Sequence, residues 1–221
     1  MNNSEKTVKL KTNTDVIAKP LTFFILLGVL KGYISNSLCF LVSAKLGFRK
    51  YLKDFTIDLP KDFINEYAFI AWLYVKLSRK IGKEKAFEVL RASVLTTGIA
   101  IQQANFRNVE ATRNFNNLIL FQKRAKDNGS TKLNSMEIIT ENKDKYEFRV
   151  TRCTFYELFS LLNVPELTTI FCSIDNAIFS SYLPEKIVFH RNGIRNTIAD
   201  GNGYCEFVIE QKDKQPNPAL S

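Results

Sequence analysis

The chain lacks several of the sequence features by which catalytic, nucleotide-binding and metal sites are usually recognised. Of its 221 residues, one is a histidine, His190, and no glycine-rich nucleotide-binding loop is present. The four cysteines are irregularly spaced and include no CxxC pair, which argues against a zinc site. No cleavable secretory leader is apparent, so reduced thiols are favoured over a disulfide framework. We therefore predict a cytoplasmic protein with neither a metal nor a cofactor.

Composition and charge narrow the class of protein further. Hydrophobic residues make up 45% of the chain, enough to bury the core of one domain carrying a helical extension. The formal charge of +9 would suit an anionic partner, but the basic residues are scattered among acids rather than gathered in a stripe. We therefore predict no nucleic-acid partner and a small-molecule substrate instead.

An apolar segment near the N-terminus allows three interpretations. Between Pro20 and Ala44 the only charged residue is Lys31, and the length approaches that of a bilayer crossing. A lysine near the middle of such a crossing would be costly. We favour two short buried helices, packed on their own core or on another subunit of a homo-oligomer. Peripheral membrane contact is the second alternative and a true crossing is the third.

Hydrophobic periodicity predicts the secondary structure. Apolar residues at helical spacing predict helices over about 70–81, from 83 onward, and over about 109–126. The β-prone runs Met136–Thr140 and Tyr146–Val150 predict a hairpin. Further helices are expected near 155–162 and 166–179, and further strands near 187–189 and 205–209.

These elements predict an α+β fold, with a helical N-terminal half followed by a small antiparallel sheet covered by helices. The predicted organisation has three parts: a basic tail and apolar helical segment over 1–65, the α+β domain over 66–210, and a polar tail over 211–221.

Thiols and a carboxylate in the last third are the candidate chemical groups. Cys153 lies where a strand passes into a helix, a position whose free N–H groups lower a thiol pKa. Cys172 and Asp175 are three apart on one predicted helix and share a face. Cys205 opens the last strand, and a folded sheet could bring all four residues together. Each cysteine also has a plain alternative as a buried packing residue.

The same stretches resemble a known family. VTRCTFYELFSLLNVPELTTIFCSIDNAIF and PEKIVFHRNGIRNTIADGNGYCEFVI are similar to the L-2-amino-thiazoline-4-carboxylic acid hydrolase family, over roughly residues 66–210. The resemblance implies hydrolytic opening of a thiazoline ring to an N-carbamoyl cysteine. It implies four catalytic candidates: Cys153, Asp175, Cys172 and Cys205. Asn202 and Glu206 depart from the family pattern, which has an acid after the glycine and an aspartate after the cysteine.

Candidate substrate-binding residues surround these four. Arg191 or Arg195 would bind a substrate carboxylate through the planar guanidinium group. His190 is open to a solvent-facing, hydrogen-bonding or proton-transferring role. The remaining candidates implied by the resemblance are Thr197 and Tyr156.

A non-catalytic function is the main alternative. The hairpin, helices and closing strands are also similar to ligand-binding domains of the 4-vinyl reductase type, and eighteen phenylalanines could line an apolar pocket. A third possibility is a biosynthetic enzyme of specialised metabolism that acts on a larger apolar substrate. Catalysis is favoured if Cys153, Cys172, Asp175 and Cys205 line one solvent-reachable cavity.

Overall fold

The computed structural model describes residues 14–109, 113–129, 131–193 and 195–212. This part of the chain forms seven α-helices and one four-stranded sheet, and the predicted α+β class is confirmed. The helices are α1 (Thr14–Lys31), α2 (Ser37–Leu52), α3 (Lys61–Ile81), α4 (Lys83–Val109), α5 (Phe115–Asn128), α6 (Thr154–Leu161) and α7 (Thr168–Ser181). The strands are β1 (Ser135–Glu141), β2 (Lys145–Arg152), β3 (Ile187–His190) and β4 (Cys205–Gln211).

The helical half is held by one apolar core. Side chains from α1, α2, α3, α4 and α6 share it, including the fully buried Leu30, Leu77 and Leu158. Gly82 separates α3 from α4 with φ of 86°, a left-handed conformation that glycine adopts without strain. The predicted helix boundary at Gly82 is therefore confirmed.

The apolar segment 20–44 contributes to this core rather than lying apart from it. It forms the second part of α1 and the first part of α2, with Leu26, Leu30, Phe40 and Leu41 buried. None of the helices in the described ranges has the length and apolarity that a bilayer crossing requires. The interpretation as buried helices is consistent with this packing, although both helices also expose large apolar side chains.

The middle helices differ from the predicted boundaries. The predicted helix over about 109–126 is wrong at its start, because Val109 ends α4 and α5 begins at Phe115. The Oδ1 atom of Asn114 accepts a hydrogen bond of 2.8 Å from the backbone N–H of Asn117, which caps α5 there. Helix α4 also continues through Gly98, where an added Cβ would lie 2.2 Å from Cδ1 of Ile174 in α7. Glycine therefore lets α4 and α7 pack closely.

The sheet positions the candidate site. Its strand order is β1-β2-β4-β3 and every pairing is antiparallel, so the predicted hairpin forms one side of it. Val150 near the end of β2 pairs with Cys205 at the start of β4. A second apolar core fills the space between the sheet and helices α5 and α7, with Leu118, Phe148 and Ile178 among its buried residues. This core places α7 over the region where β2 ends and β4 begins.

Candidate active site

Three elements bring the predicted thiols and carboxylate together. Cys153 follows the end of β2, Cys205 begins the neighbouring β4, and α7 supplies Cys172 and Asp175. The negative charge of Asp175 acts on all three thiols and raises the pKa of each. We call these four residues the thiol–carboxylate cluster. The four residues therefore lie close enough for their charges to interact.

Cys153 occupies the N-cap position of α6, as the sequence predicts. The backbone N–H groups of Phe155 and Tyr156 favour its thiolate, although neither forms a capping hydrogen bond to the sulfur. Burial outweighs them, and the pKa of the Cys153 thiol rises to about 11. The predicted lowering of this pKa is therefore wrong, because the loss of water around the sulfur exceeds the effect of the helix terminus.

The other two thiols are also held in their neutral form. Burial, followed by the charge of Asp175, raises the pKa of Cys172 to about 12. Burial also raises the pKa of Cys205, whose sulfur accepts a hydrogen bond of 3.2 Å from the backbone N–H of Ile198. All three thiols are consequently protonated near neutral pH, as the plain packing interpretation of buried cysteines also requires.

Asp175 is the cluster residue whose ionisation falls near neutral pH. Surrounding protein raises the pKa of its carboxyl from 3.8 to about 6, and the positive charge of Arg191 opposes the rise. The side chain nevertheless retains 44% of its accessible surface. The carboxyl is thus reached by water on one side and enclosed by protein on the others. An acid in this state can accept and return a proton near pH 7.

Arg191 is the cation beside the cluster. Its side chain is buried, its Nε donates to Oδ1 of Asn176 at 2.8 Å, and its Nη1 donates to the carbonyl of Glu206 at 3.3 Å. The guanidinium carbon lies 4.1 Å from the ring centroid of Phe207. The buried Nη2 has no hydrogen-bond partner among the described residues and lies 3.9 Å from Oδ2 of Asp175. Of the two predicted arginines, this is the one placed beside the carboxylate.

Arg195 occupies a different environment. It is exposed and has φ of 57°, in the turn that precedes Thr197. Thr197 is buried, and its hydroxyl donates to Oδ2 of Asp200 at 2.5 Å. Its carbonyl accepts from the backbone N–H and the side-chain amide of Asn202. Thr197 and Asn202 thus close the loop that carries Ile198 to the sulfur of Cys205.

The last two candidate residues, Tyr156 and His190, differ in their position relative to the cluster. Tyr156 is half-buried in the first turn of α6, where its backbone N–H faces Cys153. His190 ends β3, with Nε2 3.3 Å from Oε2 of Glu210 and Nδ1 accepting from the N–H of Asn192 at 3.3 Å. The structure thus pairs His190 with a sheet carboxylate.

An ion pair next to the cluster, between the half-buried Arg149 and the buried Glu206, was not foreseen from the sequence. Oε1 of Glu206 accepts hydrogen bonds from Nε and Nη2 of Arg149 at 3.1 and 3.0 Å, and Oε2 accepts from the amide of Asn196 at 3.1 Å. Arg149 and Glu206 are cross-strand partners on β2 and β4. The departure at Glu206 therefore has a structural role, since it fixes the loop after Arg191 to the sheet. The sequence does hold a signal for this pair, since Arg149 lies one residue before Val150 and Glu206, of opposite charge, lies one residue after Cys205.

The cavities of the protein and the grouping of its possible metal ligands bear on the candidate site. Cavities of about 250 and 260 Å³ lie against α3, the first including Tyr74 and Glu166 and the second including Leu52 and Ile64. Neither is lined by a cluster residue, so neither is the shared cavity that would favour catalysis. Across the ranges that the structure describes, no three His, Cys, Asp or Glu side chains are grouped so that they could hold a metal ion.

The protein has an α+β fold. Three thiols and one carboxyl that ionises near neutral pH lie where the sheet meets helices α6 and α7. A sequence model of the L-2-amino-thiazoline-4-carboxylic acid hydrolase family matches residues 62–209, more than half of the chain, and the chain belongs to this family. The family expected from the motifs is confirmed.

Comparisons with curated proteins and with solved structures identify no second family. None of the curated proteins compared with the chain matches it significantly. Among solved structures, the chain is similar to an Fe(II) unliganded H-NOX protein mutant from K. algicida, with 9% identity over 88% of this chain and 96% of that one. The TM-score is 0.31, and the likeness carries no argument about fold or function.

Proposed function

We propose that the protein is a hydrolase that opens a small heterocyclic amidine of the thiazoline type, with Asp175 as the proton-transferring group. The observation that carries this proposal is the position of the half-exposed Asp175 carboxyl, 3.9 Å from the buried Nη2 of Arg191, where burial raises its pKa to about 6. Perturbed carboxyls with a defined charged partner are frequent in catalytic sites. Membership of the family supports the reaction class.

Opening a 2-aminothiazoline requires attack on the ring carbon that bears two nitrogens and sulfur. A new bond forms to that carbon, the carbon–sulfur bond breaks, and the leaving sulfur takes up a proton. Ionised Asp175 would remove the proton from the attacking group and then return it to the departing sulfur. Net addition of one water gives an N-carbamoyl amino acid that carries one new thiol.

The attacking group is either water or the Cys153 sulfur. With a pKa of about 11, only about one Cys153 in 10⁴ is a thiolate at pH 7, so the sulfur needs a base. Asp175 is the cluster group that is ionised at that pH and close enough to act on Cys153 electrostatically. Cys153 would add to the ring carbon after losing its proton to Asp175, and water would then release the product.

Binding of the substrate carboxylate is assigned to Arg195 within this proposal. Arg191 is buried and held by Asn176 and the carbonyl of Glu206, so its role is to stabilise ionised Asp175. Arg195 is exposed, and its guanidinium has no hydrogen-bond or ion-pair partner among the described residues, so it can reach a ligand from solvent. Loss of Arg195 should therefore raise KM, while loss of Arg191 should act on Asp175.

The test is turnover of L-2-amino-thiazoline-4-carboxylic acid, followed by the appearance of the product thiol. Asp175→Asn should abolish turnover, and Cys153→Ser should abolish it if the sulfur is the nucleophile. Cys39→Ser is the matched control, because Cys39 is an exposed thiol on α2. Full activity in Asp175→Asn would overturn the proposal, whereas full activity in Cys153→Ser would assign the attack to water.

A second candidate function is binding of an apolar small molecule without turnover, as in domains of the 4-vinyl reductase type. The observation that favours it is a group of half-buried rings next to the cluster. Phe155 and Phe171 stack at 4.6 Å, and Tyr67 meets both at 4.8 and 5.7 Å. A larger apolar substrate of a biosynthetic enzyme would use the same rings. Native mass spectrometry that finds a retained ligand, together with no thiol release, would favour binding.

A further inference from the structure

Helix α2 has an outward face that is apolar, unlike most exposed helix faces. Its buried side holds Phe40, Leu41, Ala44 and Phe48 in the core. On the opposite side, Leu38, Val42 and Leu46 recur every four residues and are 55%, 53% and 79% exposed. Residues at this spacing lie in one row along a helix. Soluble proteins usually expose large apolar side chains singly, so a row of three indicates an interaction surface.

Cations border this row. Lys45, Arg49 and Lys50 are exposed on the same helix, and Arg49 follows Leu46 by three residues on the outward side. The sequence has no acidic residue between Asp15 and Asp54. The surface therefore combines apolar side chains with positive charge and has no carboxylate of its own.

We infer that the outward face of α2 docks on an anionic lipid surface. A helix with exposed leucines and a basic border lies in the plane of a bilayer interface, with its cations against anionic headgroups. The turn before α2 also exposes Tyr33, a residue type enriched at membrane–water interfaces. Docking of this kind needs no crossing helix.

Charge argues for lipid over a second copy of the chain. A symmetric dimer built on this face would pair the face with itself, so the cations of one copy would meet a surface that is also basic. No acid of α2 is available to pair with them. Like charges brought together in this way oppose association. An anionic bilayer supplies the missing negative charge along the whole face.

Cosedimentation of the full chain with lipid vesicles tests the inference. The chain should pellet with vesicles of phosphatidylcholine and phosphatidylserine and stay in solution with phosphatidylcholine alone. Raising salt from about 50 mM to about 500 mM should weaken the association, since it screens the headgroup charge. Two variants, Val42→Ser/Leu46→Ser and Lys45→Gln/Arg49→Gln/Lys50→Gln, should each lower the partition coefficient at least about tenfold.

Two control variants test whether vesicle binding depends on the α2 face itself rather than on the total charge of the chain or on any exposed apolar side chain. Lys132→Gln/Lys143→Gln/Lys186→Gln removes the same charge from exposed positions elsewhere, and Ile139→Ser removes an exposed apolar side chain of β1. Both should bind vesicles as the parent chain does. Cys39 lies on the outward side of α2 and is exposed, so its alkylation should slow when anionic vesicles are added.

Several results would overturn the inference. One is association with anionic vesicles that the α2 variants leave unchanged, and another is equal binding to neutral and anionic vesicles. A third is a lipid-free dimer, seen by analytical ultracentrifugation, that Val42→Ser/Leu46→Ser dissociates, which would assign the face to a second copy. Circular dichroism of each variant verifies that the helices are intact. The outcome is independent of the proposed hydrolysis, which is measured on soluble substrate.

Discussion

The Nη2 atom of Arg191 lies 3.9 Å from Oδ2 of Asp175, and it is the one guanidinium nitrogen of Arg191 left without a hydrogen bond among the described residues. Its positive charge lowers the pKa of Asp175, while burial raises it to a final value of about 6. Because the two effects oppose each other, Arg191 adjusts the pH at which Asp175 ionises. It is a positioning residue that acts through the carboxyl.

The pH profile of turnover should report this adjustment. If ionised Asp175 is the base, kcat/KM should rise with pH through a midpoint near 6. Arg191→Gln removes the opposing charge and should move the midpoint to higher pH. Arg195→Gln, the matched control, should raise KM and leave the midpoint in place. A midpoint unchanged in Arg191→Gln would contradict the coupling between the two residues.

The stability of the fold should depend on the ionisation of Asp175 with a defined sign. Its pKa is higher in the folded chain than the ordinary value of 3.8, so its stabilising contribution is complete below about pH 3.8 and is lost as pH rises through about 6. Asp175→Asn cannot ionise and escapes this loss. From about pH 4 to pH 7 the variant should gain on the order of 1 kcal/mol relative to the parent chain, after allowance for the exposure of the side chain.

Urea denaturation of both chains at the two pH values measures this difference. Ser173→Ala offers a comparison, because Ser173 lies on the same helix, donates to the carbonyl of Thr169 and does not titrate. Its stability relative to the parent should be the same at both pH values. A gain for Asp175→Asn that is equally large at both would show that Asp175 ionises at its ordinary pKa.

Gly98 should be intolerant of a side chain. A Cβ there would lie 2.2 Å from Cδ1 and 2.9 Å from Cγ1 of Ile174, so α4 and α7 would have to separate. We expect Gly98→Ala to lower the free energy of unfolding by about 1–3 kcal/mol. Gly28→Ala on α1 is the control, since nothing lies within 4 Å of its added Cβ, and it should be neutral or stabilising.

A double variant identifies the contact responsible. Ile174→Val removes Cδ1, so Gly98→Ala should cost less in that background than in the parent chain. Thermal denaturation of the four chains gives the coupling directly. Strictly additive effects would mean that the close approach of Gly98 to Ile174 does not limit the packing.

The cysteines should differ widely in reactivity. Cys39 is exposed, whereas the pKa of Cys153 is about 11 and that of Cys172 about 12. Near pH 8 the thiolate fractions of these two are about 10⁻³ and 10⁻⁴, so their alkylation should be slow and should accelerate about tenfold per pH unit. Mass spectrometry after iodoacetamide treatment should therefore show one fast site. A fast site that persists in Cys39→Ser would mean that a cluster thiol is activated.

The sequence predicted those structural features that depend on a few adjacent residues. The hairpin formed by β1 and β2, the boundary at Gly82 and the placement of Cys153 before α6 each depend on a few adjacent residues. The continuation of α4 through Gly98 was not predictable, because the reason for glycine there is Ile174 in a distant helix.

The electrostatics of the candidate site were not predictable from the sequence. Cys153 has the local features that lower a thiol pKa, yet burial by other elements reverses the sign. Arg191 and Arg195 are indistinguishable from sequence spacing, and only the packing of Arg191 against Phe207 and Asn176 separates them. Charge and burial around a side chain are set by the tertiary contacts, which a single sequence does not display.

The Arg149–Glu206 pair should be the most sensitive ionic contact of the sheet. The Glu206 side chain is 5% exposed and accepts three hydrogen bonds, two from Arg149 and one from Asn196. Arg149→Ala leaves a buried carboxylate without its cation and should lower the free energy of unfolding more than the loss of an exposed ion pair does. Glu206→Asp keeps the charge but shortens the reach, so it should lose contact with one of the two partners and cost less.

An exposed ion pair provides the control for this experiment. Glu88 and Arg91 on α4 are 3.5 Å apart with both side chains about half exposed or more, and Glu88→Ala should change stability by less than about 0.5 kcal/mol. Because Asn196 also binds the carbonyl of Arg191, loosening Glu206 should disturb the loop that orients Arg191 toward Asp175. Glu206→Asp should therefore shift the pH midpoint of turnover as well as stability. Equal losses in Arg149→Ala and Glu88→Ala would show that the strand pairing, and not the buried charge, holds this edge of the site.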